Sequence, residues 1–132
     1  MVNFDLIGLS YYELKELSAK INLPLDYLVL SSQDINVIME FLKNNQNEVM
    51  FLRFKGKILN SNNPNWLFRF AEQYNDITIN NEMASALLSC SDSEEKLRIL
   101  YKFLYLPNTY KLTIESEIER LKKMNLRCYK MN

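Results

Sequence analysis

Histidine is absent from this 132-residue chain, and glycine and cysteine occur only twice each. Without histidine the chain lacks the commonest metal ligand and the commonest catalytic base, so Ser–His and Cys–His nucleophilic pairs are excluded. Two glycines, Gly8 and Gly56, exclude a glycine-rich phosphate loop. Cys90 and Cys128 stand far apart, which is neither a disulfide framework nor a zinc-ligand spacing. They read as reduced thiols of a reducing compartment. No stretch approaches the ~18 apolar residues of a membrane span. The first residues carry neither a basic leader nor a clear apolar core of a secretory signal. These absences predict a cytoplasmic protein that does not enter a membrane.

An excess of one charge sign is lacking too. Sixteen basic and sixteen acidic side chains cancel. A nucleic-acid binder usually carries a basic excess or a basic face, and at zero net charge the counterion-release contribution to affinity is small. One local asymmetry stands out. No acid follows Glu119, while Arg120, Lys122, Lys123, Arg127 and Lys130 are all cationic.

Apolar side chains are plentiful: hydrophobic residues make up 48% and charged residues 24%, as in globular domains. A chain of this length buries roughly 65–70% of its unfolded surface, so it needs no disulfide or metal to build a core. The expectation is a single helical domain over residues 1–132. Phe, Tyr, Met, Ile, Asn and Lys total 58 residues against 14 for Gly, Ala, Arg and Pro, a skew that points to an AT-rich bacterial, phage or viral genome.

Ser10-Tyr11-Tyr12-Glu13 is a capping box, with Leu9 and Leu14 at the staple positions, and predicts a helix over 10–21. A short turn or helix follows Pro24. Ser31 with Asp34 marks a second start. Ile35, Ile38, Met39 and Leu42 fit helical spacing while Val37 and Phe41 load the other side, so 32–43 is the expected buried central helix. Residues 49–54 and 57–60 read as strands of a small hairpin turning at Gly56, with a helix through 47–54 as the alternative. Asn63 and Pro64 open a helix with Leu67, Phe70, Ala71 and Tyr74 on one stripe. Asp76–Ile79 reads as a short strand, and a helix begins at Asn80 or Asn81. Another starts in Ser91–Glu95 and carries Leu97, Leu100, Tyr101 and Leu104. The last runs from Leu112 to Met124 on Ile114, Ile118 and Leu121. The expected class is mostly α: a compact bundle of six or seven short helices with one hairpin at about 49–60.

No combination of residues calls for a cofactor or a metal. Paired acids such as Glu94-Glu95 or Glu115 and Glu119 suit solvated helix faces, and Ser91–Glu95 lacks the alternating ligands of a calcium loop. Acids close to Cys90 would raise its pKa and blunt its reactivity. The order helix, short helix, helix, hairpin is that of a winged helix, with Arg53, Lys55 and Lys57 on the wing. Its reading helix, however, would present Asp34 and Glu40 to phosphates. The basic tail, Arg120, Lys123, Arg127 and Lys130 with Tyr129, suits either an acidic partner or the negative end of its own helix. Eight tyrosines are more than a core this size absorbs, and exposed tyrosines anchor protein interfaces. The reading is therefore a non-enzymatic protein that binds a larger protein through an apolar–aromatic patch with a basic rim. Arg53, Lys55 and Lys57, with Arg120, Lys123, Arg127, Tyr129 and Lys130, are the expected contacts. A winged-helix DNA-binding regulator over 10–59 is the alternative, and self-association is left open.

Overall fold

The structure, a computed structural model, describes residues 8–130, with the side chains of residues 8–124. Among the described residues there are eight helices and no strand. They are α1 Tyr11–Ile21, α2 Leu25–Leu30, α3 Ile35–Asn44, α4 Glu48–Leu59, α5 Pro64–Tyr74, α6 Ile77–Leu88, α7 Ser93–Phe103 and α8 Lys111–Lys130. Contacts group the chain into two units, Met1–Lys57 and Ile58–Asn132, and α4 runs through the boundary.

In the first unit the capping box forms as read: the Ser10 hydroxyl accepts from the Glu13 amide at 3.2 Å, and Glu13 accepts from the Ser10 amide at 3.1 Å. Asn22 closes α1 in the left-handed region at φ 56°, a conformation asparagine tolerates. α3 starts later than the sequence implies. Its cap is Asp34, which accepts from the Asn36 amide at 2.9 Å, while Ser32 accepts from the Asp34 amide. Six of its ten residues, Ile35, Val37, Ile38, Met39, Phe41 and Leu42, are buried. The expected central helix is therefore a core element of this unit.

The expected hairpin at 49–60 is corrected: those residues are helical as far as Leu59. Asn47 caps α4, its side-chain oxygen accepting from the Met50 amide at 3.1 Å. Phe54 and Ile58, one helical turn apart, are completely buried. The Phe54 ring lies 5.3 Å from that of Phe41 on α3. Aromatic content alone favours a strand only weakly, and burial of residues at four-residue spacing outweighs it. Gly56 has no positive φ, so it makes no turn.

In the second unit Asn63 caps α5 with Pro64 in its first turn. The expected strand at Asp76–Ile79 is also corrected. Asp76 caps α6 instead, accepting from the amides of Thr78 at 2.9 Å and Ile79 at 3.1 Å. Asp92 caps α7 by accepting from the Glu95 amide. Phe70, Met83, Leu87, Ile99, Leu100, Phe103 and Ile114 are fully buried and form the core. α5 packs on α6 and α7, and α8 packs on α6 and α7.

A Cβ placed on Gly56 meets no atom within 4 Å. Gly56→Ala therefore raises stability by about 0.5–1 kcal/mol, through helix propensity and reduced freedom of the unfolded chain. Thermal or urea unfolding checks this. A loss of stability contradicts a helical α4.

Candidate functional site

The three cations expected on a wing are spread around α4. A step of two residues turns a helix by about 200°, so Lys55 lies on the side opposite Arg53 and Lys57, which stand four residues apart along the edge facing α2. Arg53 points outward, and its Nη1 lies 3.3 Å from Asp26 Oδ2 on α2. Lys55 Nζ lies 5.8 Å from the centroid of the Phe51 ring. Lys57 turns inward. Its ammonium donates to the Leu30 carbonyl and, at 2.9 Å, to the Ser32 carbonyl, capping the C-terminal end of α2. Burial lowers the Lys57 pKa. Lys57 is thus a strut of the first unit, and α4 provides no wing.

On α8, Arg120 is engaged by Glu117, with Nη2 to Oε2 at 3.0 Å. Lys123 is exposed and has no ion-pair partner among the described residues. The side chains of Arg127, Tyr129 and Lys130 lie outside the described residues. Of the α4 cations, Arg53 and Lys57 both reach α2 while Lys55 lies apart from them; a further group, which the sequence reading missed, gathers around Lys96. Lys96 on α7 is 5% exposed, and its ammonium lies 2.8 Å from Glu117 Oε2 while donating to the Cys90 carbonyl at 3.3 Å. The Arg120 guanidinium, and after it the Lys96 ammonium, hold the Glu117 carboxyl at about 2, against the upward push of burial. Ile99 and Phe103 at four-residue spacing, with Lys96 three residues before, mark the buried face of α7. Of the stripe read in the sequence, Leu100 lies on this buried face, while Leu97 and Leu104 are half-buried and Tyr101 is exposed. Burial pushes the Cys90 thiol up more than Lys96 pulls it down, which suits a packed side chain rather than a nucleophile.

The second feature missed is the outward face of α4. Val49, Leu52, Arg53 and Gly56 follow one another at helical spacing on the side opposite Phe54 and Ile58. Val49 is 63% and Leu52 51% exposed, and Gly56 leaves a notch open beside them. The Arg53–Asp26 pair ties this face to the start of α2, where the next residue, Tyr27, is 60% exposed. Only the helical phase of α4 reveals this grouping; a hairpin would have set Val49 and Leu52 on opposite faces of one strand and Gly56 in the turn.

Elsewhere, an open groove of about 540 Å³ runs along α6, lined by Thr78, Asn81, Glu82, Ser85, Ala86 and Ser89 with Leu59 and Tyr110. Glu82 is the single carboxylate in its lining. Among the described residues no three Asp, Glu or Cys side chains converge as metal ligands, and no helix is long and apolar enough to cross a membrane. No family model matches the chain, and no curated protein or solved structure is significantly similar to it.

Glu117 generates a pH dependence. Its folded pKa, about 2, lies below the ordinary 4.5, so the unfolded chain binds this proton first as pH falls. The stabilisation is complete above about 4.5 and is lost progressively toward about 2. Glu117→Gln removes that part of the acid slope and, by leaving Lys96 buried without its carboxylate, costs about 3 kcal/mol near neutrality. Thermal unfolding across the acid range checks both. An unchanged slope in the variant contradicts the assignment.

Proposed function

We propose that this chain is a non-catalytic protein-interaction protein acting in the cytoplasm and encoded by an AT-rich bacterial, phage or viral genome. Adaptor, regulator, secretion-apparatus accessory, immunity protein and phage-type inhibitor are the roles this covers. The observation that carries the reading is the outward face of α4: exposed Val49 and Leu52 beside the Gly56 notch, with Tyr27 and the Arg53–Asp26 pair at its edge.

Glycine inside a helix costs about 1 kcal/mol relative to alanine, and nothing within the first unit requires one here. A partner backbone lying close against α4 would require it. Covering the exposed parts of Val49 and Leu52 contributes on the order of 1–2 kcal/mol each. A micromolar complex needs roughly 8 kcal/mol, so the two aliphatic side chains alone do not suffice. Tyr27 is the natural anchor for the remainder, since tyrosine buries a large area at low entropic cost. Arg53, with Lys55 on the adjoining flank, supplies the basic rim.

The tagged chain, passed through nuclease-treated native lysate, retains a protein that the double variant Val49→Lys, Leu52→Lys loses, while Glu94→Ala, at an exposed position on α7, keeps it. Both altered positions are exposed, so circular dichroism and the unfolding midpoint stay close to those of the unaltered chain. Equal retention by the double variant contradicts the reading. Capture that depends on nucleic acid and falls steeply with salt would favour a DNA-binding role instead.

A further inference from the structure

We propose that two copies of this chain pair antiparallel through the outward face of α8, a surface separate from the one on α4. Ile114, Ile118 and Leu121 turn the inner face of α8 into the second unit. On the other side Leu112, Glu115, Ser116, Glu119 and Lys123 are all exposed, and with Arg120 they line a groove of about 510 Å³. Leu112 is 81% exposed. Positions 112, 116, 119 and 123 are spaced four, three and four residues apart, the spacing of a two-helix seam. The same helix continues this spacing at positions 126 and 130.

Charge along that face decides the partner and its direction. Acids occupy the first half, Glu115 and Glu119, and after Glu119 only cations follow. Glu115 and Lys123 have no ion-pair partner among the described residues, and Glu119 has only an exposed contact with Lys122 at 3.7 Å. With the two-fold axis at position 121, Glu119 of one copy stands opposite Lys123 of the other, and the reverse. The same register sets Ser116 level with position 126 and Leu112 level with position 130. Every position of the seam then meets another position of the same seam, as an isologous interface requires. A parallel pair would set Glu119 against Glu119 and Lys123 against Lys123. At the two edges of the seam Arg120 and Lys122 each come level with their own counterparts near the axis, where Glu117 balances the Arg120 charge and Glu119 contacts Lys122.

The seam holds few apolar side chains, so the dimer is weak and salt-sensitive. Sedimentation velocity from about 10 to about 500 µM shows the unaltered chain moving from monomer toward dimer. Added salt, at about 0.5 M, shifts it back by screening the exposed pairs. Glu119→Lys alone and Lys123→Glu alone each remain monomeric over that range. An equimolar mixture of the two regains the dimer, because each reversed seam complements the other. Far-ultraviolet circular dichroism confirms that both variants keep their helix content. Three results would each overturn the proposal: a monomer at every concentration for the unaltered chain, a dimer indifferent to Glu119→Lys, or a mixture no more associated than its components. The Val49→Lys, Leu52→Lys chain dimerises normally, which separates this surface from the one on α4.

Discussion

The contact between α4 and the first unit is the constraint on which the account depends. Phe54 sits against Phe41, and the Lys57 ammonium reaches the carbonyls that end α2. Together they fix the rotation of α4 about its own axis. Once Phe54 points inward, helical geometry leaves Val49, Leu52 and Gly56 on the outside, with Arg53 and Lys57 along the edge that meets α2. The lysine performs two tasks, giving charge-assisted hydrogen bonds to the carbonyls of Leu30, at the end of a short helix, and Ser32, just past it, and holding two helices together. A cation read as a candidate ligand-binding group thus serves the fold, and the binding surface proposed here is defined by apolar side chains and a missing Cβ.

A comparable arrangement orients α8 in the second unit. Lys96 and Glu117 form a largely buried pair across α7 and α8, and Arg120 satisfies the remaining carboxylate oxygen. A buried pair contributes little net stability compared with an apolar one, but breaking it is costly, so it specifies which face of α8 turns inward. Ile114, Ile118 and Leu121 agree with that choice. The acid-to-base gradient along the rest of α8 then faces outward. It also complements the helix macrodipole, with acids early and bases late, which accounts for part of the pattern without any partner.

Local chemistry was legible in the sequence wherever a side chain caps its own helix. Ser10 with Glu13, and Asn63 with Pro64, announce α1 and α5 because the hydrogen bonds involved span three residues or fewer. Asp76 was misread because two isoleucines around a threonine resemble a strand, although Asp76 accepting from two following amides is a cap. The segment 49–59 was misread for a deeper reason. Its apolar residues fall in blocks, 49–52, 54 and 58–59, so neither a two-residue nor a 3.6-residue period is distinct, and the choice falls to tertiary burial of Phe54 and Ile58. Lys96 could not have been found from its neighbours, since the carboxylate that makes its burial tolerable lies on another helix. Of the expected contacts, Arg53 and Lys55 remain at the edge of the candidate surface on α4, Lys57 is structural, and Arg120 and Lys123 belong to α8 instead.

The central claim, that the outward face of α4 receives a protein, is tested most directly by photo-cross-linking in cells. A photoreactive amino acid replaces Leu52 in one chain and the exposed Glu94 on α7 in another. The account predicts a covalent adduct from position 52, with a mass that is not twice that of the chain, and none from position 94. No adduct from position 52, or the same adducts from both positions, would contradict it.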